Sequence, residues 1–381
     1  MLQLKKSFTV GLSVFASLTQ AALASDYRDS NACVQFMPTS LAKLSRSGQP
    51  LRVRTSPEYP TGTQRPPLGL LNGNFMRHVQ GVARLQGRNT LVMSGNASGG
   101  SYLYVAQMQS QAEDSLWKSN VKCKGSTCSI PSKDMIYKIV HLSKKYDHPG
   151  GIQSVGDFVV VGTDISINDS KGSEVRFFDL RDPNNPNELT HLKISREGRL
   201  RTDAVAAIKL RGGRHDGLYL VAAMALKAKI TFYLSTHTNL LDPQNRFEKY
   251  ADWNAKDNFK PHDFQAIQLV QQCDGELYLI GAYKSKPLFG LPWGGKDWLD
   301  TFTVRLDVHG YKYDAETGNP VPWIEPYKNL HMTLKQSFFT AGAGVYVDEQ
   351  TQKLAAYATD YWPLNPAIRD TTLRFEQFSP K

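Results

Sequence analysis

Histidine and aspartate residues recur along the sequence, each time just before a short apolar segment. The motifs "MRHVQG", "DHPGG", "TDAVAA", "PHDFQA" and "FTAGAG" contribute Arg77 and His78, Asp147 and His148, Thr202 and Asp203, His262 and Asp263, and Thr340. Imidazole nitrogens bind zinc and related metals, while carboxylates complete such sites or act as a general acid and base. A fold that brings the five motifs together would create one site.

Three interpretations of these residues stay open. In the first, His78, His148 and His262 bind a divalent metal that activates water, with Asp203 or Asp263 as a further ligand. In the second, Asp147, Asp203 and Asp263 are the paired carboxylates of a hydrolase that acts on a glycan or a lactone. In the third, the same side chains hydrogen-bond backbone groups in tight turns at strand ends.

Aromatic side chains in two long loops suggest a ligand-binding role. "KSKPLFGLPWGGKDWLD" contains Trp293 and Trp298, and "TDYWPLNPAIRD" contains Tyr361 and Trp362. Together with Arg77 these residues would form a platform for a sugar ring or another small ligand. Packing of Trp293 and Trp362 on the adjacent prolines is the alternative. In "TDISINDSKGS", Asp164, Asn168 and Asp169 offer oxygen ligands but lack EF-hand spacing.

A repeated pattern of short apolar segments places the five motifs. "GIQSV" with "DFVVVGTD" recurs as "GVARL" with "NTLVMSGN", "AIKL" with "GLYLVAAM", "AIQLV" with "GELYLIGA", and "GVYVD" with "KLAAYATD". Each pair is joined by turn-forming residues, and each is followed by a third alternating segment: "SYLYVAQM", "SEVRFFDL", "KITFYLST", "DTFTVRLD" or "TTLRFEQF". Period-two alternation indicates half-buried strands, and short connecting turns indicate hairpins.

A fourth, more polar segment follows in four of the copies: "MIYKIVHL", "LTHLKI", "RFEKYAD" and "WIEPYKNL". The last copy lacks it, and "PLRVRTS" near Pro50 is the segment expected to supply the missing strand. The sequence therefore predicts an all-β fold, a five-bladed β-propeller of four-stranded antiparallel blades over residues 50–381, closed by an N-terminal strand. Innermost strands would line a central channel, and the five motifs would surround its mouth.

The second copy resembles the LVIVD-type repeat of secreted bacterial propellers, through "GGIQSVGDFVVVGTD" and "SEVRFFDLRDPNNPNELTHL". This resemblance implies a propeller fold and export, and it implies no particular chemistry. In outline the arrangement is also similar to five-bladed furanosidase-type glycoside hydrolases. Those enzymes carry a catalytic Glu on an inner strand, and none of the five motifs contains a Glu.

Residues 1–24 have the pattern of a secretory signal peptide, with Lys5 and Lys6 before an apolar stretch that ends in Ala22-Leu23-Ala24. Residues 25–49 would form an N-terminal extension, and the mature chain is expected in the periplasm or outside the cell. Its four cysteines are expected to pair as Cys123 with Cys128 and Cys33 with Cys273.

The formal net charge of +10 favours an acidic partner, such as an anionic glycan or another acidic ligand, and a protein partner is a further option. The basic residues are scattered, which argues against nucleic acid binding. No segment after the leader is long and apolar enough to span a membrane. We therefore expect a binding or interaction protein that uses the channel mouth, with a hydrolase at the same mouth as the alternative.

Overall fold

A computed structural model describes residues 32–54, 79–97, 100–108, 117, 122–124, 127–129, 134–165, 172–197, 201–225, 229–254, 264–285, 295–310, 312–335, 337–359 and 372–381. The fold is all-β, as predicted: the described part contains one short α-helix, α1 (Met37–Lys43), and one 3-10 turn, and its other regular elements are strands. None of the helical structure in these residues is long and apolar enough to cross a membrane. The predicted signal peptide lies outside the described residues.

The strands pair in antiparallel groups that follow the predicted copies. β1 (Gln49–Arg54) precedes the first group. That group contains β2 (Val79–Arg84), β3 (Thr90–Ala97), β4 (Gly100–Gln107) and β7 (Met135–Ser143). A short hairpin of β5 (Lys122–Lys124) and β6 (Thr127–Ser129) lies between β4 and β7. The second group contains β8 (His148–Val155), β9 (Phe158–Asp164), β10 (Ser173–Asp179), β11 (Asn187–Glu188) and β12 (Ile194–Arg196). Within each group, neighbouring strands are antiparallel.

The remaining strands repeat this order. They are β13 (Ala204–Lys209), β14 (Tyr219–Ala225), β15 (Lys229–Ser235), β16 (Phe247–Asn254), β17 (Ala266–Gln271), β18 (Leu277–Lys284), β19 (Asp297–Arg305), β20 (Trp323–Met332), β21 (Phe338–Val347), β22 (Leu354–Thr359) and β23 (Thr372–Phe378). β1 pairs antiparallel with β23 from Gln49 opposite Gln377 to Arg54 opposite Thr372. The segment around Pro50 thus supplies the outer strand next to the last strand of the chain, where the sequence placed it.

The outer strand of the second group departs from the prediction. "LTHLKI" was expected to form one strand, but Thr190–Leu192 forms a 3-10 turn between β11 and β12. Leu189 and Leu192 are both buried in the same apolar cluster. A strand would direct these two side chains to opposite faces because they are three residues apart, whereas a tight turn brings both inward.

The first strands of the groups, β2, β8, β13, β17 and β21, contact one another in the interior. Single parallel residue pairs join two pairs of neighbours: Ala204 with Gly151, and Gly81 with Ala343. Glutamine side chains cross between β8 and β17, where Gln153 Nε2 donates to the Leu269 carbonyl oxygen at 2.7 Å and Gln268 Nε2 donates to the Ile152 carbonyl oxygen at 2.8 Å. These amide bridges tie β8 to β17 across the interior.

Glycines permit this close approach of the inner strands. A Cβ added at Gly151 would lie 3.0 Å from the Cα of Ala266, and one at Gly81 would lie 2.7 Å from the backbone nitrogen of Ile152. A Cβ at Gly150 would overlap the backbone carbonyl of Asp203. Backbone atoms cannot move aside as the end of a flexible side chain can, so larger residues are excluded here.

Replacing Gly150 with alanine is expected to lower the free energy of unfolding by about 2 kcal/mol, because the added methyl group forces β8 away from the Asp203 backbone. Urea denaturation of the purified mature chain measures the change. Gly212→Ala is the control, since its Cβ would meet nothing within 4 Å and only its positive φ of 69° opposes the substitution, at about 1 kcal/mol. A Gly150→Ala variant as stable as wild type would show that the strands are not closely packed there.

A disulfide joins Cys33 to Cys273, with Cα atoms 5.0 Å apart, which confirms that predicted pair. Backbone hydrogen bonds support it: Val34 N donates to the Gln271 carbonyl oxygen, and Cys273 N donates to the Val34 carbonyl oxygen. The N-terminal segment is therefore fastened to the β17–β18 turn. Cys123 and Cys128 are direct partners across the β5–β6 hairpin, but their side chains lie outside the described part of the structure, so that disulfide stays a prediction.

Candidate functional site

Four polar side chains meet where β8 and β13 begin and β9 ends: His148, Asp164, Arg201 and Asp203, which we call the mouth cluster. His148 opens β8, Asp164 closes β9 directly opposite it, and Arg201 and Asp203 lie just before β13. The backbone of Asp203 is fixed from both sides, since its N–H donates to the Met224 carbonyl oxygen and its carbonyl oxygen accepts from Gly151 N. The cluster is thus anchored to two neighbouring strand groups.

His148 and Asp164 form a directed pair. The Nδ1 atom of His148 lies 2.9 Å from Oδ1 of Asp164, whose side chain is fully buried, while 21% of the His148 side chain is exposed. An ionised carboxylate only accepts hydrogen bonds, so in the neutral imidazole the pairing places the ring proton on Nδ1 and leaves Nε2 as the unprotonated nitrogen. Asp164 therefore fixes both the tautomer and the orientation of the imidazole.

Arg201 connects the two carboxylates of the cluster. Its Nε atom is 2.9 Å from Oδ2 of Asp164, and its Nη2 atom is 3.1 Å from Oδ1 of Asp203. Both oxygens of the buried Asp164 are consequently engaged, one by His148 and one by Arg201. A buried carboxylate held by two donors is a rigid support for the imidazole.

Asp203 is the least satisfied member of the cluster. Its Oδ2 atom is buried and has no hydrogen-bond partner among the described residues, although 17% of the side chain is exposed. Burial and the nearby Asp164 charge raise its pKa to about 6, against the lowering effect of Arg201. An acidic group of this kind changes protonation near neutral pH, which is a property of functional carboxyls.

A second polar layer lies beneath the mouth cluster. Arg196 is buried, and its guanidinium donates to Thr202 Oγ1 at 2.8 Å and to Thr231 Oγ1 at 3.1 Å. Thr202 also bonds Ser173, and Thr231 donates to Asp252 at 2.7 Å. This network links the second and third strand groups and supports the backbone from which Arg201 and Asp203 project.

Several predicted site residues lie outside the described part of the chain: Arg77, His78, His262, Asp263, Trp293, Tyr361 and Trp362. Asp147 is described, is half-buried and precedes His148. Of the predicted carboxylates and imidazoles, the structure brings His148 and Asp203 into one cluster through Arg201 and Asp164.

The metal interpretation receives no support from the described side chains. No group of three or more His, Cys, Asp or Glu residues among them is arranged to hold a metal ion. The Nδ1 atom of His148 is used by Asp164, and the predicted partners His78 and His262 fall in the segments that the structure leaves undescribed. The divalent metal stays a prediction from the sequence.

Trp298 is the one predicted aromatic ligand-binding residue that falls within the described ranges. It lies on β19 and is half-buried, and its ring centroid is 5.0 Å from that of His331 on β20. It also packs against the apolar cluster between the third and fourth strand groups. Part of the Trp298 ring therefore has a structural role.

Two residues of the mouth cluster have roles that the sequence did not reveal. Asp164 was considered only as an oxygen ligand, and Arg201 was not considered at all. The signal for Arg201 was its position two residues before Asp203, where a cation precedes a strand that begins with small apolar residues.

The chain matches no family model, and no curated protein is similar to it in sequence. Among solved structures, it is similar to sucrose-6-phosphate hydrolase from Lactobacillus gasseri, with 11% identity, a TM-score of 0.31 and coverage of 78% of this chain and 77% of that one. It is also similar to a hypothetical selenium-binding protein from Sulfolobus tokodaii, with 10% identity, a TM-score of 0.29 and coverage of 66% and 68%. These TM-scores are too low to support an assignment of fold or function.

Proposed function

We propose that this chain is an exported five-bladed β-propeller whose mouth cluster binds a neutral, hydroxyl-bearing ligand of the glycan class. The observation that carries the proposal is the carboxyl of Asp203. It has a buried oxygen without a partner among the described residues, beside an oriented imidazole and at the start of an inner strand.

Three features support the architecture and the location. The five first strands contact one another in the interior, and β1 pairs with the last strand in the manner that closes a ring. The second strand group carries the segment that resembles LVIVD-type repeats of secreted propellers. The Cys33–Cys273 disulfide supports export to an oxidising compartment, since disulfides persist there.

The chemistry of the mouth cluster favours a ligand with hydroxyl groups. Asp203 offers an acceptor for a hydroxyl hydrogen, and Nε2 of His148 offers a second acceptor. A buried polar atom without a partner is costly in the unbound protein, and a turn of the partly exposed Asp203 carboxyl toward a ligand hydroxyl removes that cost. Two acceptors held in fixed positions are suited to neighbouring hydroxyls of a sugar.

The ion pairs of the mouth cluster argue against an anionic ligand there, although the chain as a whole is basic. The guanidinium of Arg201 is already engaged by Asp164 and Asp203. Asp164 is fully buried with its negative charge facing the cluster, so an anion would meet unfavourable charge. The scattered basic surface therefore does not determine what binds at the mouth.

A glycan array that contains neutral and anionic sugars tests the proposal on the purified mature chain. Wild type is expected to bind neutral glycans, and Asp203→Asn is expected to weaken binding at least tenfold, because the amide nitrogen that replaces Oδ2 cannot accept a hydrogen bond. Asp307→Asn is the matched control, since Asp307 contacts His215 near the β13–β14 turn at the opposite end of the strands. Binding of anionic glycans alone, or equal binding by Asp203→Asn, would contradict the proposal.

A further inference from the structure

We infer that the mouth cluster is also catalytic, with His148 as general base and Asp203 as general acid in the hydrolysis of a carboxylic ester on a sugar. The inference rests on the proposed function, because it assigns a reaction to the ligand class bound at the same place. In a paired-carboxylate mechanism two carboxyl groups must reach the substrate. In the inferred reaction one carboxyl, that of Asp203, acts together with the imidazole of His148.

The buried state of Asp164 excludes it from contact with a substrate. Its side chain has no exposed surface, and both of its oxygens are bonded, one to His148 and one to Arg201. Asp164 therefore acts through the imidazole and is a positioning residue. A buried carboxylate that holds Nδ1 of a histidine is the arrangement that prepares Nε2 to remove a proton from a nucleophile in acyl transfer.

Nε2 of His148 is suited to the role of base. None of the described residues hydrogen-bonds to it, and 21% of the side chain is exposed. A water molecule bonded to Nε2 would be activated at the mouth of the molecule. Attack of this water on an acyl carbon needs a base at the nucleophile, which is the contribution that an oriented imidazole makes.

Asp203 is suited to the role of acid. Arg201 occupies Oδ1, so a proton on this carboxyl resides on Oδ2, the atom without a partner. Oδ2 is buried while 17% of the side chain is exposed, so the carboxyl must turn toward the substrate to deliver this proton. Burial and the Asp164 charge raise the pKa of Asp203 to about 6, which keeps part of the population protonated near neutral pH. A sugar alkoxide is a poor leaving group, and proton donation to it makes the carbon–oxygen bond easier to break.

The reaction balances without a further reactant. Water transfers one proton to Nε2 of His148 while its oxygen bonds to the acyl carbon, and a tetrahedral intermediate forms. The bond from that carbon to the sugar oxygen then breaks, and the sugar oxygen takes the proton from Asp203. The products are a carboxylic acid and a sugar hydroxyl, and the proton on His148 returns to Asp203 through solvent.

Two esters separate the two roles. 6-O-acetylglucose has an alkoxide leaving group that needs a proton, whereas 4-nitrophenyl acetate has a leaving group that departs without one. Wild type is expected to hydrolyse both. His148→Gln is expected to lower kcat about a hundredfold on both esters, while Asp203→Asn is expected to lower kcat about a hundredfold on 6-O-acetylglucose and at least about tenfold less than that on 4-nitrophenyl acetate.

His215→Gln is the matched control, because His215 lies 3.3 Å from Asp307 in a second histidine–aspartate pair outside the mouth cluster. It should retain wild-type rates. For Asp164, the dependence of kcat on pH provides a readout that mere loss of structure would not give. Asp164→Asn should shift the limb of this profile that reports the general base, and Asp164→Glu should partly return the limb to its wild-type position. Far-UV circular dichroism confirms that each variant is folded.

Failure to hydrolyse either ester above the buffer rate would overturn the inference, as would wild-type rates for His148→Gln or an equal loss on both esters for Asp203→Asn. If wild type binds neutral glycans but hydrolyses neither ester, only the catalytic inference fails. If it binds none of them, the proposed function fails as well.

Discussion

Asp203→Asn is expected to stabilise the protein at pH 7.5, raising the free energy of unfolding by about 3 kcal/mol. The pKa of Asp203 rises from 3.8 to about 6 on folding, because the carboxyl is buried beside the charge of Asp164. At pH 7.5 the folded protein must therefore hold an ionised group that is better solvated in the unfolded chain. Asparagine removes that charge and retains an oxygen that can accept from Arg201.

The sign of the pH dependence follows from this shift. Between pH 3.8 and about 6 the folded state binds the proton of Asp203 and the unfolded state does not, so stability falls as the pH rises through this window. The wild-type and Asp203→Asn unfolding free energies should converge below pH 4, separate between pH 4 and about 6, and keep a constant difference above that window. Urea denaturation at a series of pH values measures both curves.

Asp252→Asn is the control of opposite sign. Burial alone would raise the pKa of Asp252, but hydrogen bonds from Thr231 and Lys229 outweigh burial and lower it. Its carboxylate therefore stabilises the fold at neutral pH, and the asparagine variant should be less stable than wild type at pH 7.5. An Asp203→Asn variant that is also less stable at pH 7.5 would show that Asp203 is a structural residue.

Removal of the Cys33–Cys273 disulfide is expected to have the largest effect on stability. The bond joins residues 240 apart in sequence, and the loop-entropy relation assigns about 5 kcal/mol to a closed loop of that length. The Cys33→Ala, Cys273→Ala double variant should lose most of this amount in urea denaturation at pH 7.5. Its N-terminal segment should also become sensitive to protease, since Val34 is held by backbone bonds next to the disulfide.

Reduction supplies an independent check of the disulfide. Dithiothreitol should lower the stability of wild type toward that of the double variant and should leave the double variant almost unchanged. A Cys123→Ala, Cys128→Ala variant is the comparison, because the short β5–β6 hairpin limits the entropy that any bond there could contribute. Equal stability of wild type and the Cys33→Ala, Cys273→Ala variant would contradict the expected role of the bond.

Much of the strand order could be predicted because each hairpin combines alternating side chains with a turn sequence. The segments "DFVVVGTD" and "GELYLIGA" became β9 and β18 with only small changes at their ends. The N-terminal strand was predictable because the last copy lacked an outer partner, and β1 fills that place. Local patterns and the need to cover exposed edges were sufficient for these elements.

The pairing of His148 with Asp164 could not be predicted from the hairpin alone. Counting outward from the Val155–Phe158 pair would place His148 opposite Ile165. An irregularity between Pro149 and Ile152 shifts the register by one residue and places Asp164 there instead. The shift lies at Gly150 and Gly151, where the inner strands crowd, so tertiary packing determines which side chain the histidine meets.

Arg201 shows a second limit of sequence reasoning. It lies outside the repeated strands, and its role depends on Asp164 from one strand group and Asp203 from the next. The repeat aligned the aspartates and histidines, but it carried no information about a cation between them. Contacts across the junction of two groups require the three-dimensional arrangement.

Nitrogen-15 NMR of the His148 imidazole during titration with 6-O-methylglucose tests the central claim most directly, because this sugar has no ester to cleave. The mouth cluster predicts that at pH 8 Nδ1 carries the hydrogen and Nε2 does not, and that the Nε2 signal moves as the sugar binds while the His215 signals stay in place. A hydrogen on Nε2 in the unbound protein, or a response at His215 with none at His148, would contradict the assignment of the site.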